Sequence, residues 1–287
     1  EMCIRDSSYS YHRRYGEVRP GEAMFSGPIW APEPSPVVAH ARALAVDDLM
    51  LETCYLPQPE DLTAEMLGGE EPPTVGFSWG HPWPAGAFHG LEGGRRPEAE
   101  DHLARWIEAA ARFGHPVMRI TVSSPIARGN EPEPELVARL VEPVRRAADR
   151  AAAVELALAI ENHGDLTAAG LDDLITRADR PNLGVTLDTV NLIRLGDDMV
   201  DGTRLLAPRV LVVQMKDYLP TDDVNQPGGP VCSALGAGVA PLVAVLDVLG
   251  DAGFDGAVCV EIASLGEDEV DELILLEQSV AWLREHI

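Results

Sequence analysis

The sequence predicts a single (β/α)8 barrel with its active site at the C-terminal face of the strands, and two observations lead there. Four apolar runs each end on a residue carrying a metal-binding oxygen: Glu161 in LALAIENH, Asp188 in LGVTLDTVN, Gln214 in VLVVQMKDY and Glu261 in AVCVEIAS. Patterns long enough for one helix separate them, and a repeated strand–helix unit presenting a functional residue at the same strand end is how such a barrel builds its site. The second observation is phase. Strand side chains alternate between faces, so Glu161 shares a face with Ala159 and Ala157, Asp188 with Thr186 and Gly184, Gln214 with Val212 and Lys216, and Glu261 with Cys259 and Ala257. The smaller or more polar face belongs in the crowded interior. The bulky one, including Leu211, Val213 and Met215, belongs beneath the helices.

The units are read in order as follows. Strand one is placed at Ser7 to Tyr11 and helix one at Pro36 to Ala45; strand two runs from Asp48 to Cys54, with a short helix around Glu60 to Leu67. Strand three is Thr74 to Trp79, followed by the Gly/Pro/aromatic loop GHPWPAGAFHGLEGG, which has no helical period. Helix three spans Pro97 to Phe113, with Pro at its first turn and Gly114 just past its end. Strand four is Val117 to Val122, and helix four Glu135 to Ala153. Helices at Ala168 to Ala178, Asp198 to Leu206 and Ala240 to Ala252 separate strands five to eight. A last helix, Glu267 to Glu285, carries an apolar stripe through Val270, Leu273, Ile274, Leu276 and Trp282. The four ligand candidates lie 27, 26 and 47 residues apart, the last interval lengthened by the loop TDDVNQPGGPVCSALGAG, a length usual for functional lids or disordered segments. Glu1 to Asp6 lack strand alternation and are read as a non-native or disordered leader, leaving 7–287 as the barrel domain.

A chain of 287 residues suits one barrel without a second domain. With 47 acidic against 22 basic residues the net charge is −25, which repels phosphate backbones and anionic lipid; neither nucleic acid nor membrane is expected as a partner. Cys3, Cys54, Cys232 and Cys259 form no CxxC pair and no metal-finger spacing, which points to a reducing, cytoplasmic setting. There is no run of 18 apolar residues and no secretory h-region, so a soluble, unexported protein is expected.

With the inward ligands in hand, the chain resembles the sugar phosphate isomerase/epimerase branch of the xylose isomerase-like TIM barrels. The resemblance runs from about Ser7 to the C-terminus, on SSYSYHR, LALAIENHGD, PNLGVTLDTVN, VVQMKDY, LGAGVAPL and GFDGAVCVEI. It implies a divalent ion, Mn²⁺ or Mg²⁺ with Co²⁺ a further candidate, held by Glu161, Asp188, Gln214 and Glu261. Gln214 stands where ketose epimerases carry His, and the hydroxypyruvate isomerase branch resembles this chain in using Gln there. An amide oxygen suits a hard cation and argues against Zn²⁺. The endonuclease branch, with several zinc-binding histidines and a basic DNA face, is argued against by the ligands and the charge.

The resemblance implies proton transfer through an enediolate on a ketose or related hydroxy-carbonyl sugar, with Glu161 and Glu261 as general base and acid. Three carboxylates against one M²⁺ would leave about −1, favouring a neutral substrate. Lys216 is assigned to the developing oxyanion, the competing reading being an ion pair with Asp217. His163, inward by parity with Glu161, is a further acid/base candidate, and Asn191 a substrate hydrogen-bonding one. His12, Trp79 and His81, with Tyr11, Trp30 and Trp83 nearby, are read as substrate contacts at the barrel mouth. Gly236 to Gly238 offer only a weak phosphate cradle, so the substrate is expected unphosphorylated. The alternative is a metal-dependent lyase eliminating an aglycone or water from 3-keto sugars or glycosides; a non-catalytic sugar-binding barrel is the third reading. The expected partner is a small-molecule sugar or keto-glycoside, with a homo-oligomer or a partner subunit left open.

Overall fold

In the computed structural model, residues 2–7, 10, 35–46, 48–53, 56–67, 74–80, 97–225, 229–265 and 271–287 are described. Eight parallel strands close into a barrel: β1 (Cys3–Ser7), β2 (Asp48–Glu52), β3 (Thr74–Trp79), β4 (Val117–Ile120), β5 (Ala157–Glu161), β6 (Leu183–Asp188), β7 (Val210–Met215) and, after a short ribbon, β10 (Ala257–Val260), which hydrogen-bonds back to β1. Helices α1 (Ser35–Ala43), α2 (Pro97–Arg112), α4 (Glu133–Ala152), α5 (Ala168–Ala178), α7 (Met199–Leu206), α8 (Leu242–Asp251) and α9 (Glu272–His286) alternate with the strands; two short ones, α3 (Pro125–Arg128) and α6 (Thr189–Ile193), are extra turns after β4 and β6. Among the described residues no helix is long and apolar enough to cross a membrane.

The barrel begins earlier than its sequence suggests. β1 is Cys3–Ser7 rather than Ser7 to Tyr11, with Cys3 opposite Ala257 and Arg5 opposite Asp48, so the segment read as a leader supplies a barrel strand. Closure decides this, because β10 and β2 both need a neighbour and CIRDS satisfies both ladders. Ser10 then ties the following turn to β10, donating to the Val260 carbonyl (3.3 Å) and accepting from the Ile262 N–H (3.1 Å).

Packing follows the alternation rule. Met50, Ala159, Val212 and Cys259 form a small apolar cluster separate from the main core, one layer of the barrel interior. The opposite faces, including Leu158, Ile160, Val185, Leu187, Val213, Met215, Val258 and Val260, join the large core shared with the helices. Each such fully buried side chain contributes about 1.5–3 kcal/mol relative to exposure. Leu211 departs from its expected outward place. The β6–β7 ladder slips between Val185/Val210 and Thr186/Val212, leaving Leu211 as the extra residue of a bulge, packed on the inner cluster and over Gly184. A Cβ on Gly184 would meet the Leu211 side chain and stand 2.7 Å from the Arg209 carbonyl oxygen. Gly184→Ala should therefore cost about 1–3 kcal/mol, read from the urea midpoint; an unchanged midpoint would mean that Leu211 moves aside freely.

Helix ends agree with the sequence to within a few residues, with two exceptions: in place of the short helix expected around Glu60 to Leu67 there is a three-residue 3-10 turn, Pro59–Asp61, followed by a turn, and α9 starts at Glu272 and leaves Ile274 52% exposed while Leu276, Val280 and Leu283 are buried. Val270 lies outside the described residues. The long loop after β7 is not structureless: β8 (Asp217–Tyr218) pairs antiparallel with β9 (Cys232–Ser233). The Asp217 carboxylate anchors this ribbon, accepting N–H bonds from Tyr218 (2.8 Å), Gly236 (2.9 Å), Gly238 (2.9 Å) and Ala240 (3.0 Å). The Gly236 and Gly238 donors expected as a weak phosphate cradle are thus already taken by a carboxylate of the same chain.

Candidate active site

Two residues beyond each member of the inner cluster lies a polar side chain: Glu52 after Met50, Glu161 after Ala159, Gln214 after Val212 and Glu261 after Cys259. The period of two puts them on the same face one layer higher. With Asp188 and Lys216 all are buried, at most 7% exposed.

Local structure orients each one. Asp188 ends β6 and begins α6, and its Oδ1 accepts from the N–H groups of Val190 (3.1 Å) and Asn191 (3.0 Å), a helix N-cap. That leaves Oδ2 for the site, 2.6 Å from Lys216 Nζ. Asn162, next to Glu161, clips the Asp188 backbone by donating to its carbonyl (2.8 Å) and accepting its N–H (2.7 Å). Asn191 donates to Glu161 Oε1 (3.1 Å), so the expected substrate ligand holds a candidate catalytic carboxylate. Gln214 Nε2 donates to Glu261 Oε2 (2.5 Å). A carboxylate only accepts, which fixes the amide orientation and leaves the buried Gln214 Oε1 with no hydrogen bond. Lys216 reaches Glu261 Oε1 (2.5 Å) as well as Asp188. Its partners are these two rather than Asp217.

Sequence reasoning missed half of a second cluster. Arg119 of β4 is 5% exposed and forms ion pairs with Glu161 and with Glu52 (3.5 Å), while donating to Ser78 Oγ of β3 (2.5 Å). The signals are in the sequence: DLMLE ends on an acid as three of the other four runs do, and Arg119 sits inside the apolar run VMRITV. The layer therefore holds four carboxylates, Glu52, Glu161, Asp188 and Glu261, against two cations, Arg119 and Lys216. This formal deficit of two replaces the sum based on three carboxylates alone. Burial pushes the carboxyls of Glu52 and Asp188 above their usual range, against the pull of Arg119 and Lys216 respectively. Burial pulls the Lys216 pKa down, but Asp188 and Glu261 outweigh it and raise the pKa, so the amine is an ammonium and no nucleophile.

The remaining candidates fall elsewhere. His163 is half-buried just past Glu161. Trp79 is not at the mouth: Ser78 shares the inward register with Glu52 and Arg119, so Trp79 faces the helices, fully buried, its indole N–H donated to His102 Nδ1 of α2 (2.9 Å). Burial first, then Arg105, lowers the His102 pKa to about 4, which keeps it the neutral acceptor this bond requires. Tyr11, His12, Trp30, His81 and Trp83 lie outside the described residues.

Residues 76–286 match the family model described as Xylose isomerase-like TIM barrel. The chain belongs to that family. No curated protein sequence matches. Among solved structures, the chain is similar to a D-psicose 3-epimerase with D-tagatose from Clostridium cellulolyticum H10 (TM-score 0.72, 17% identity, covering 99% of this chain and 98% of that one). It is similar to the probable 3-DHS dehydratase AsbF involved in the petrobactin synthesis from Bacillus anthracis (0.70, 14%, 99% and 99%). A third is the IOLI protein with a binding zinc atom (0.71, 11%, 100% and 99%). At these identities the structural likeness carries the fold alone, and the family match carries the membership.

A divalent cation is implied by xylose isomerase-like relatives, and the donors here suit one. All are oxygens, Gln214 Oε1 is buried without a hydrogen bond, and the deficit of two charges is what M²⁺ would neutralise. Among the described residues, however, no three His, Cys, Asp or Glu side chains converge as a metal-binding group. The carboxylates are instead drawn to Arg119 and Lys216. Gln214→His should retain metal binding and shift preference toward Co²⁺ or Zn²⁺, as imidazole replaces an amide oxygen; an unaltered preference in competitive metal titrations would remove Gln214 from the ligand set.

Proposed function

We propose that the protein is a divalent-metal-dependent isomerase or epimerase of an unphosphorylated ketose or related hydroxy-carbonyl sugar. The observation that carries the reading is the buried layer in which Glu161, Asp188, Gln214 and Glu261 come from the ends of four successive barrel strands with two formal negative charges uncompensated. Glu161, Asp188, Gln214 and Glu261 would hold the cation, Mn²⁺ or Mg²⁺, which when bound supplies Lewis acidity toward a carbonyl and its neighbouring hydroxyl. Glu161 and Glu261 lie on β5 and just past β10, with β6 and β7 between them in the barrel order, so one removes the proton next to the carbonyl and the other returns it. Asn191 and Arg119 fix Glu161, and the Lys216 ammonium faces the oxygen on which charge develops. The neutralised layer admits a neutral sugar, and Asp217 in the Gly236/Gly238 turn leaves those donors closed to a phosphate.

The second reading, a lyase that eliminates water or an aglycone after the same proton abstraction, draws on the likeness to the probable dehydratase from Bacillus anthracis and on His163 beside Glu161. Incubation of the metallated protein with ketoses and with 3-keto-glycosides in deuterated buffer tests both. Deuterium incorporation with a retained skeleton is the isomerase result; release of an aglycone or an unsaturated product is the lyase result. No exchange with any substrate offered would sink proton abstraction altogether. For the isomerase, His163→Ala reduces activity modestly and leaves exchange; for the lyase, the variant exchanges the proton yet releases almost no product, since the imidazole that would assist the departing group is then missing. Equal loss of exchange and product would assign His163 to holding the metal ligands.

A further inference from the structure

Every cationic residue of this chain but one is arginine: of 22 Lys and Arg residues, the single lysine is Lys216. That lysine is 7% exposed inside the barrel, its ammonium 2.6 Å from Asp188 Oδ2 and 2.5 Å from Glu261 Oε1. In each partner the second carboxylate oxygen is held by local structure. Asp188 Oδ1 is committed to the start of α6, and Glu261 Oε2 to the Gln214 amide.

We propose that Lys216 is a tethered stand-in for the divalent ion: its ammonium holds Asp188 and Glu261 in the metal-free protein and must leave them when the ion enters. The inference rests on the metal-dependent reading above. An oxygen could in principle serve both cations through separate lone pairs, but that would bring a monovalent and a divalent charge within a few ångströms among buried side chains, where screening is weak. Arg119 also pairs with a member of the ligand set, Glu161, but Ser78 and Glu52 anchor the same guanidinium. A compact ammonium on a flexible stem can withdraw, whereas a planar guanidinium fork bound to two carboxylates is harder to displace, which accounts for lysine at this position in an otherwise arginine-only chain. The consequences are two. The metal-free barrel keeps its ligands in place without collapse or repulsion, and metal entry releases the one ammonium in the chain beside the substrate oxygen it would serve.

Being unique, Lys216 can be observed directly in the unmodified protein. With 15N-lysine labelling, its side-chain resonance is the sole lysine signal, and it should shift during a Mg²⁺ titration with the same midpoint as the binding heat. Lys216→Met should bind Mn²⁺ at least about tenfold more tightly than the parent by calorimetry, since a competing like charge is gone. Its metal-free form should melt below the metal-free parent, with the gap closing at saturating Mn²⁺. Heat of Mg²⁺ binding with an unmoved Lys216 resonance would overturn the proposal, as would a folded Lys216→Met that binds Mn²⁺ no more tightly. If the variant fails to fold, the resonance arm decides alone. If neither Mg²⁺ nor Mn²⁺ binds the parent, the metal-dependent function falls and this inference falls with it.

Discussion

Glu161→Gln turns over at least about 100-fold more slowly than the parent, the scale expected when a general acid or base is removed. The substitution keeps the size of the side chain, but its single amide oxygen can accept from only one of Asn191 (bound at Oε1) and Arg119 (bound at Oε2), so the melting temperature is measured alongside turnover to separate lost proton transfer from lost fold. Glu261→Gln gives a loss of the same order from the opposite side of the site, with the added effect that Lys216 keeps a single carboxylate partner. Metal content is measured in the same samples. A fully metallated variant of either kind that works like the parent removes that residue from proton transfer.

Arg119→Met is the largest expected loss of stability. The guanidinium is 5% exposed and compensates Glu52 and Glu161, neither of which is more than 3% exposed, and leaving buried charge without its partner costs about 3–5 kcal/mol. Chemical denaturation reads this directly. Adding Glu52→Gln to Arg119→Met recovers part of the loss, because one of the two orphaned charges is then absent. A single variant within 1 kcal/mol of the parent, on the order of an ordinary surface change, would mean that the Glu52–Arg119–Glu161 cluster does not carry the charge balance described.

Much of the site is legible in the sequence through strand alternation alone. Alternation along β5, β7 and β10 placed Glu161, Gln214 and Glu261 over Ala159, Val212 and Cys259, and these inner residues do form their own cluster. The same rule along β2 leads from Met50 to Glu52, and along β3 makes Ser78 inward and Trp79 outward. The aromatic character of Trp79, which suggests a substrate contact, says that a side chain carries a large apolar surface but not which face buries it. Arg119 was passed over because a lone charge inside an apolar strand has no local partner in the sequence; Glu52 and Glu161 are 67 and 42 residues away and meet it only when the barrel closes. Strand β1 was displaced for a related reason. CIRDS and the SSYSYHR segment after it are both short and polar, and only the ladders offered by β10 and β2 choose between them. Leu211 shows the limit of alternation itself, since a one-residue bulge reverses parity and no residue type announces it.

The ribbon after β7 bears on ligand choice from a distance. The Asp217 carboxylate occupies the Gly236, Gly238 and Ala240 amides as a permanently attached inhibitor would, so a free phosphate offered to that turn competes against an anion whose local concentration is at least on the order of millimolar. The closure of this turn is in that sense autonomous: it is enforced by occupancy within the fold, so dilution or competing ions in the surrounding solution do little to lift it.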